Sequence, residues 1–438
     1  MIFRFRRKKS RIFVLGLDGV PYSLVKKFCE QGLWKFFAQL FDSGKLVPME
    51  VTLPEISAVS WPSFMTGTDP GKHGIFGFTD WREGSYEIRY PNFFDLKVPT
   101  FWDRLGEKGK KSIVINQPGT YPARAIPGII ISGFVAIELT KSVQPLRYLA
   151  QLRRMSYQVD IDTHRCRTDH DQLFRELDYT LQKRKEALEY LWDELDWDYF
   201  QLVITGTDRL QHYLFNAIEE SSHPRHSQAI AYYQKIDEFI KYCWELFFRG
   251  ESTDREGDNF FLLSDHGFCL IRREVYLNAW LRQEGYLEFE KEPPEEIGEI
   301  KKTSRAFALD PSRIYLHRKS RFPQGILSEA EADELRKELK EKLLGLEFEG
   351  EKVLRAVYFP QEIYSPDELS RAPDLILVSK PGFDLKGNIQ KKEIFGNTDL
   401  TGMHTYDDAF FWAKEFGKEK AQITELAQIF EQKLFNST

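Results

Sequence analysis

A chain of 438 residues with 42% hydrophobic and 29% charged residues has the composition of a folded globular protein, which excludes chain-wide disorder and dependence on disulfides. Its net charge of −6 offers no basic field to a nucleic-acid polymer, though a small phosphorylated substrate stays compatible. The four cysteines, Cys29, Cys166, Cys243 and Cys269, form no CxxC pair, which argues against a cysteine zinc site and places the chain in a reducing cytoplasm. The basic start, Met1 to Ser10, leads into an apolar run that meets an aspartate too soon for a signal peptide, and is read as a solvated end. No apolar run approaches the roughly 20 residues of a transmembrane segment.

In chain order, 11–17 (RIFVLGL) reads as a buried parallel strand that ends against Asp18. The segment 53–67 carries Ser57, Ser60 and Ser63, with a helix expected through Trp61 and Met65, and leads to Pro70-Gly-Lys-His-Gly-Ile75. Aromatic, polar and aperiodic, 79–92 is expected to be a loop near whatever site exists. Strands are expected at 112–115 and 129–131, an amphipathic helix over 171–195, and a second buried strand at 199–204 that runs into Thr207-Asp-Arg-Leu-Gln-His212. A helix over 227–248 precedes the third buried strand, 260–263, which runs into Ser264-Asp-His-Gly-Phe268. Beyond a surface excursion at 291–302 come a helix over 328–344 and strands at 353–358 and 374–378. This alternation predicts an α/β fold, a mostly parallel central sheet covered by helices on both faces. The chain is expected to form one catalytic domain over 1–438, with 79–200 and 276–355 as insertions or cap elements within it.

Asp18, Asp208 and Asp265 each follow the carboxyl end of an apolar strand, where open α/β sheets gather their ligands. One such aspartate is ordinarily a cap or turn residue, but three would converge. Asp208 and His212 stand four apart, so on a helix they share a face and could hold one ion. Asp265 and His266 are adjacent, and the following glycine permits a tight turn that aims both at a metal. Imidazole and carboxylate together favour zinc or manganese over calcium. His404 stands alone, and by itself reads as an ordinary hydrogen-bonded histidine; His73, His164, His170, His223, His226 and His317 are given structural or solvent roles. The serines of 57–63 read first as helix caps, a use compatible with catalysis because a helix start also presents amides and a positive dipole end to a phosphate.

Together, Leu-Asp-Gly at 17–19, the serine segment ending Thr66-Gly67, Pro70 to Ile75, Asp-x-x-x-His, Ser-Asp-His-Gly and a late Gly-x-His resemble the alkaline phosphatase superfamily. The chain is most similar to its type I phosphodiesterase/nucleotide pyrophosphatase group, and within that to the predicted phosphohydrolase/phosphomutase branch, which carries segments like 276–286 and 372–375. The resemblance implies two divalent ions, zinc or manganese: one on Asp208, His212 and His404, the other on Asp18, Asp265 and His266. It places Ser57 as the nucleophile, with Ser60 where relatives carry an asparagine contacting a phosphoryl oxygen, a departure that weakens the case for a nucleotide substrate. A register slip of three would make Ser60 the nucleophile. The implied activity is hydrolysis of phosphate esters, of phosphodiesterase, pyrophosphatase or phosphatase type, through attack by serine. A sulfatase would need an arginine where Phe64 stands. A phosphomutase, or a binding scaffold retaining the fold, are the other readings.

Overall fold

The computed structural model describes residues 10–249 and 258–436, so the basic start read as a solvated end lies outside the described residues up to position 9. The nine-stranded central sheet runs in the order Ala421–Gln422, Lys45–Glu50, Ala409–Ala413, Phe260–Leu263, Ile12–Leu17, Tyr199–Ile204, Ser112–Gln117, Gly128–Ser132, Val143–Gln144. Its middle is parallel, and antiparallel pairings enter only through Ala409–Ala413 and Val143–Gln144.

The expected α/β architecture is therefore present, and the reason lies in the strands themselves. Ile12–Leu17 is buried along its whole length, and its residues divide between two cores. Phe13, Leu15 and Leu17 pack on one face, Ile12 and Val14 on the other. Tyr199–Ile204 does the same, with Phe200, Leu202 and Ile204 opposite Tyr199 and Val203. A strand that is buried at every position satisfies a two-residue side-chain period only when both faces are covered. Helices Tyr22–Glu30, Lys35–Ser43, His170–Trp192, Gly206–Glu219 and His226–Phe247 supply residues to the first core. Ser57–Thr66, Phe101–Glu107 and Leu426–Phe435 cover the second.

One expectation is corrected. The span 79–200 is not an insertion as a whole: Ser112–Gln117, Gly128–Ser132 and Val143–Gln144 are strands of the central sheet. Their apolar residues Ile113, Val114, Ile115, Ile129, Ile130 and Ile131 have no solvent exposure, which a surface element could not provide. The later span, 276–355, behaves differently, because with the residues after it the chain builds a separate antiparallel sheet, Ala306–Leu309, Arg313–Leu316, Leu375–Ser379 and Leu354–Tyr358. Helix Glu329–Leu344 packs there through Ala332, Leu335, Leu339 and Leu343, and its start is fixed by a capping box between Ser328 and Glu331. Among the described residues no helix is long and apolar enough to cross a membrane.

Candidate metal centre

Three adjacent strands deliver the acids. In register, Gly16 pairs with Val203 on one side and Leu263 on the other, so the carboxyl ends of Phe260–Leu263, Ile12–Leu17 and Tyr199–Ile204 lie side by side. Asp18 follows the first-strand end directly, Asp265 lies two residues beyond its strand, and Asp208 sits in the first turn of helix Gly206–Glu219. His212 is one helical turn further on, with Nε2 3.4 Å from Asp208 Oδ1. His404 arrives from far down the chain on strand Gly402–Thr405, which pairs antiparallel with Gly267–Leu270 so that His404 faces Phe268. That pairing puts the lone histidine beside the Asp265-His266 turn.

The six side chains share one design. Each carboxylate has one oxygen held by the protein and the other turned to the centre. Asp18 Oδ2 accepts from the Trp61 indole (3.1 Å), Asp265 Oδ1 from the Gly19 amide (3.0 Å), and Asp208 Oδ2 from Arg209 (3.1 Å). Asp208 Oδ1 and Asp265 Oδ2 are buried with no hydrogen-bond partner among the described residues. Each imidazole has Nδ1 against a backbone carbonyl: His212 to Gly402 (3.3 Å), His266 to Gly267 (3.2 Å), His404 to Glu55 (3.0 Å). A carbonyl only accepts, so Nδ1 carries the proton and Nε2 presents a bare lone pair. The bare Nε2 atoms of His212 and His404 then face each other at 3.0 Å, a repulsive contact that a shared cation relieves.

Charge points the same way. Burial, then the neighbouring Asp265 and Asp208, hold Asp18 well above the ordinary carboxyl range, and burial with Asp208 raises Asp265 to about 7. Burial also pushes His212 down to about 3 and His266 well below its ordinary value. Burial works upward on Asp208 too, but His212, His404 and Arg209 outweigh it and keep it ionised. Asp208 is held ionised while Asp18 and Asp265 resist losing their protons beside it, a strain that a bound cation would relieve, and the oxygen and nitrogen donors fit zinc or manganese.

The atoms sort into two groups, each within 4.8 Å: Asp208, His212 and His404, and Asp18, Asp208 and His266. The first is the expected trio. In the second, Asp208 serves again because its Oδ1 lies 3.3 Å from His404 Nε2 and 3.9 Å from His266 Nε2. Asp265 joins the edge of that group, with Oδ2 3.4 Å from His266 Nε2.

Ser57 opens helix Ser57–Thr66, and its Oγ lies 3.2 Å from Asp18 Oδ1 and 3.0 Å from His266 Nε2. The helix's first hydrogen bonds run from Val59 and Ser60 to the Ile56 carbonyl, so the amides of Ser57 and Ala58 precede them. Its far end is closed by Gly67, whose φ of 70° is the left-handed conformation that glycine tolerates and whose amide donates to Ser63. Gly16 has a second kind of necessity, since a Cβ there would come within 2.7 Å of the Trp61 ring that binds Asp18. Ser60 sits about 4.5 Å further along the axis, fully buried, its Oγ without a partner among the described residues; it is Ser57 that touches the cluster. His73 is buried as well, and contacts Ser63 Oγ at 3.0 Å, tying the turn Pro70–His73 to the serine helix.

Sequence reasoning missed two features. Arg209, inside the Asp208-to-His212 motif, is buried, bonds Asp160 through Nε and Nη2 (3.0 and 2.6 Å) and lies 4.1 Å over the Phe134 ring. Its adjacency to Asp208 was a signal, but its partner is 49 residues away. The second is a cavity of about 170 Å³ that begins at Ser57 and Ala58 and is walled by residues of 75–96, 118–119 and 134–135, including Phe78, Tyr90 and Phe134. The loop 79–92 does reach the site, as expected, through Tyr90, Pro91 and Asn92.

Comparison with known proteins gives a consistent picture. The sequence profile of the type I phosphodiesterase / nucleotide pyrophosphatase family matches residues 12–407. The fold is similar to that of phosphonoacetate hydrolase from Sinorhizobium meliloti 1021, with a TM-score of 0.63, 13% identity, and 98% of this chain and 96% of that one covered. It is also similar to murine ectonucleotide pyrophosphatase/phosphodiesterase 5 (TM-score 0.58, 14% identity, 98% and 95% covered) and to the alkaline phosphatase PafA (0.58, 13%, 97% and 95%). No match was found among curated proteins.

Proposed function

Since the chain belongs to the type I phosphodiesterase/nucleotide pyrophosphatase family of the alkaline phosphatase superfamily, and so to the phosphoric ester hydrolases, we propose that it cleaves phosphate esters with Ser57 as nucleophile. Two divalent ions, zinc or manganese, would be held by Asp208, His212 and His404 and by Asp18, Asp265 and His266. The observation that carries this reading is the approach of Asp18 Oδ1 and His266 Nε2 to the Ser57 hydroxyl, beside a buried cluster in which Asp208 Oδ1 and Asp265 Oδ2 have no hydrogen-bond partner among the described residues. When bound, such an ion supplies Lewis acidity, lowering the pKa of a coordinated hydroxyl and offsetting charge on phosphoryl oxygens.

The chain's own residues do the rest. Asp18 Oδ1 accepts from the Ser57 hydroxyl and His266 Nε2 lies 3.0 Å from the same oxygen, so together they fix its direction. Ser57 Oγ forms the new P–O bond while the bond to the ester oxygen breaks, leaving a phosphoserine and releasing the alcohol; water then cleaves the phosphoserine. A phosphoryl group on Ser57 would lie at the start of helix Ser57–Thr66, where the positive dipole end and leading amides favour an anion. Trp61, Gly19 and Arg209 hold the acids in place throughout.

The test is hydrolysis of bis(p-nitrophenyl) phosphate and p-nitrophenyl phosphate by the zinc- or manganese-loaded protein, beside Ser57→Ala and a chelator control. Turnover abolished in both controls supports the reading, and the ratio of the two esters separates diesterase from monoesterase. Turnover that survives in Ser57→Ala transfers the nucleophile to Ser60; turnover that survives chelation ends the metal reading.

A further inference from the structure

A second cavity, of about 460 Å³, opens where the helices of the central sheet meet the later half of the chain. Its volume is that of a small-molecule site, and such sites favour junctions of this kind. Strand Arg273–Tyr276 contributes Glu274 and Tyr276, and it pairs with Phe383–Lys386 so that Glu274 stands opposite Asp384 and Tyr276 opposite Lys386. Arg167 enters from the other side, just ahead of helix His170–Trp192, and donates to Asp399 through Nε at 2.6 Å.

No aliphatic residue lines this cavity, and its charges cancel: three cations, Arg167, Lys386 and Lys391, face three acids, Glu274, Asp310 and Asp399. A second phosphate gains nothing from a site of zero net charge, and an alkyl group would strip water from the charged groups without replacing it. A neutral group with several hydroxyls fits, because each hydroxyl both donates and accepts and the walls supply both kinds of partner. Part of the lining is already fixed: Lys386 by Asp384 at 2.7 Å, Glu274 by the Tyr276 hydroxyl at 2.5 Å, and Asp310 by the Gly387 amide. The rest is open to a ligand. Asn397 and Lys391, both exposed, have no hydrogen-bond partner among the described residues, and the Lys391 ammonium rests 5.0 Å over the Tyr276 ring.

The cavity borders the His212 end of the metal cluster. Tyr213, the next residue, donates to the Thr163 carbonyl at 3.1 Å and so ties the Arg167 segment to the His212 helix; the Thr401 amide, two residues past Asp399, donates to the His212 carbonyl at 2.8 Å. Lys386 is close enough to His212 for its charge to act there. In-line displacement puts the departing oxygen across phosphorus from the attacking one, and Ser57 stands against Asp18 and His266, so departure is toward His212 and His404. We propose that the alcohol released is polyhydroxylated, a glycerol-, cyclitol- or sugar-like group, and that this cavity holds it. Ser57 Oγ bonds to phosphorus as the bond to the polyol oxygen breaks, and that oxygen leaves as a hydroxyl with the proton that Ser57 gives up. The proposal rests on the reading of Ser57 given above, and names the leaving group that reading leaves open.

The experiment uses the full metal-loaded chain and substrate pairs that differ only in hydroxyls: propyl against 2,3-dihydroxypropyl methyl phosphate, and cyclohexyl against myo-inositol methyl phosphate. Each rate is divided by the rate of the same ester with hydroxide, which removes the difference in alcohol acidity. The hydroxylated member should then lead by roughly ten- to thirtyfold in kcat/KM, the yield of about two net hydrogen bonds. Saturation-transfer NMR should show free myo-inositol binding where cyclohexanol does not. Both preferences should fall toward one in the double variant Lys391→Ala/Asn397→Ala, changed at exposed positions, with melting curves confirming the fold. Equal rates within both pairs, or equal signals from the two free alcohols, overturn the proposal, as does a preference that the double variant leaves intact. Inositol binding that the double variant abolishes, without turnover of any ester, upholds the polyol site and overturns the hydrolytic reading instead.

Discussion

Two regions meet at Ser57, and they are built by opposite rules. On one side are six polar side chains, each with a second atom held by a backbone group, an indole or a guanidinium. On the other is a cavity defined by shape and apolarity, with an exposed rim. The first region holds its atoms by directed hydrogen bonds, and so would govern the reaction. The second only excludes water, so it can set what the reaction is applied to while tolerating change. Chemistry and selectivity should therefore fail separately under mutation.

The sharpest cut between them is Ser57→Ala, which should lower turnover by at least about a thousandfold while leaving the metal taken up per chain unchanged. Parallel rate measurement and metal analysis check both halves. Next comes Asp208→Ala: because its Oδ1 faces both groups of ligands, it should strip both ions, whereas His212→Ala should strip one, as read by metal-to-protein ratio after dialysis. Arg209→Gln, which frees the outer oxygen of Asp208, should cost roughly ten- to a hundredfold in metal affinity, with Arg209→Lys restoring part of it. On the apolar side, Phe134→Ala should raise KM for esters with an apolar group about tenfold and leave metal content alone. Arg209 packs on Phe134, so a double-mutant cycle of the two should show non-additivity, a second point of contact between the regions besides Ser57.

The smallest effect is one of pH. Asp265 is raised to about 7 in the folded chain against about 4 for an unfolded carboxyl, and Asp18 is raised in the same direction. A raised carboxyl favours the folded state while protonated, so the chelated protein should lose stability as pH climbs from about 4 through about 7, by a few degrees in Tm. Bound metal should cancel that loss. A chelated protein whose Tm is level across this range would show that the acids are compensated by other means.

How much of this was legible beforehand follows the same division. Asp18, Asp208 and Asp265 could be read because a short apolar run announces a strand and the next acid marks its end, and His212 and His266 because they are close in sequence to those acids. His404 needed a family resemblance, since its partner strand, Gly267–Leu270, lies more than 130 residues earlier and nothing local betrays the pairing. The cavity was illegible for a similar reason: it is assembled from loops without period, brought together only by the sheet. The place of Ala409–Ala413 inside the sheet was missed because an apolar run does not state its direction or its neighbours.

That last strand has a consequence for how the molecule comes into being. Ala409–Ala413 lies between Lys45–Glu50 and Phe260–Leu263 and is hydrogen-bonded to both. A chain emerging from the ribosome therefore makes Lys45–Glu50 early and must keep it unpaired on that side until some 360 further residues have been synthesised. The same late stretch delivers His404. A polypeptide halted before residue 404 would therefore carry Ser57 and five of the six candidate ligands but neither the sixth nor the strand that completes this part of the sheet.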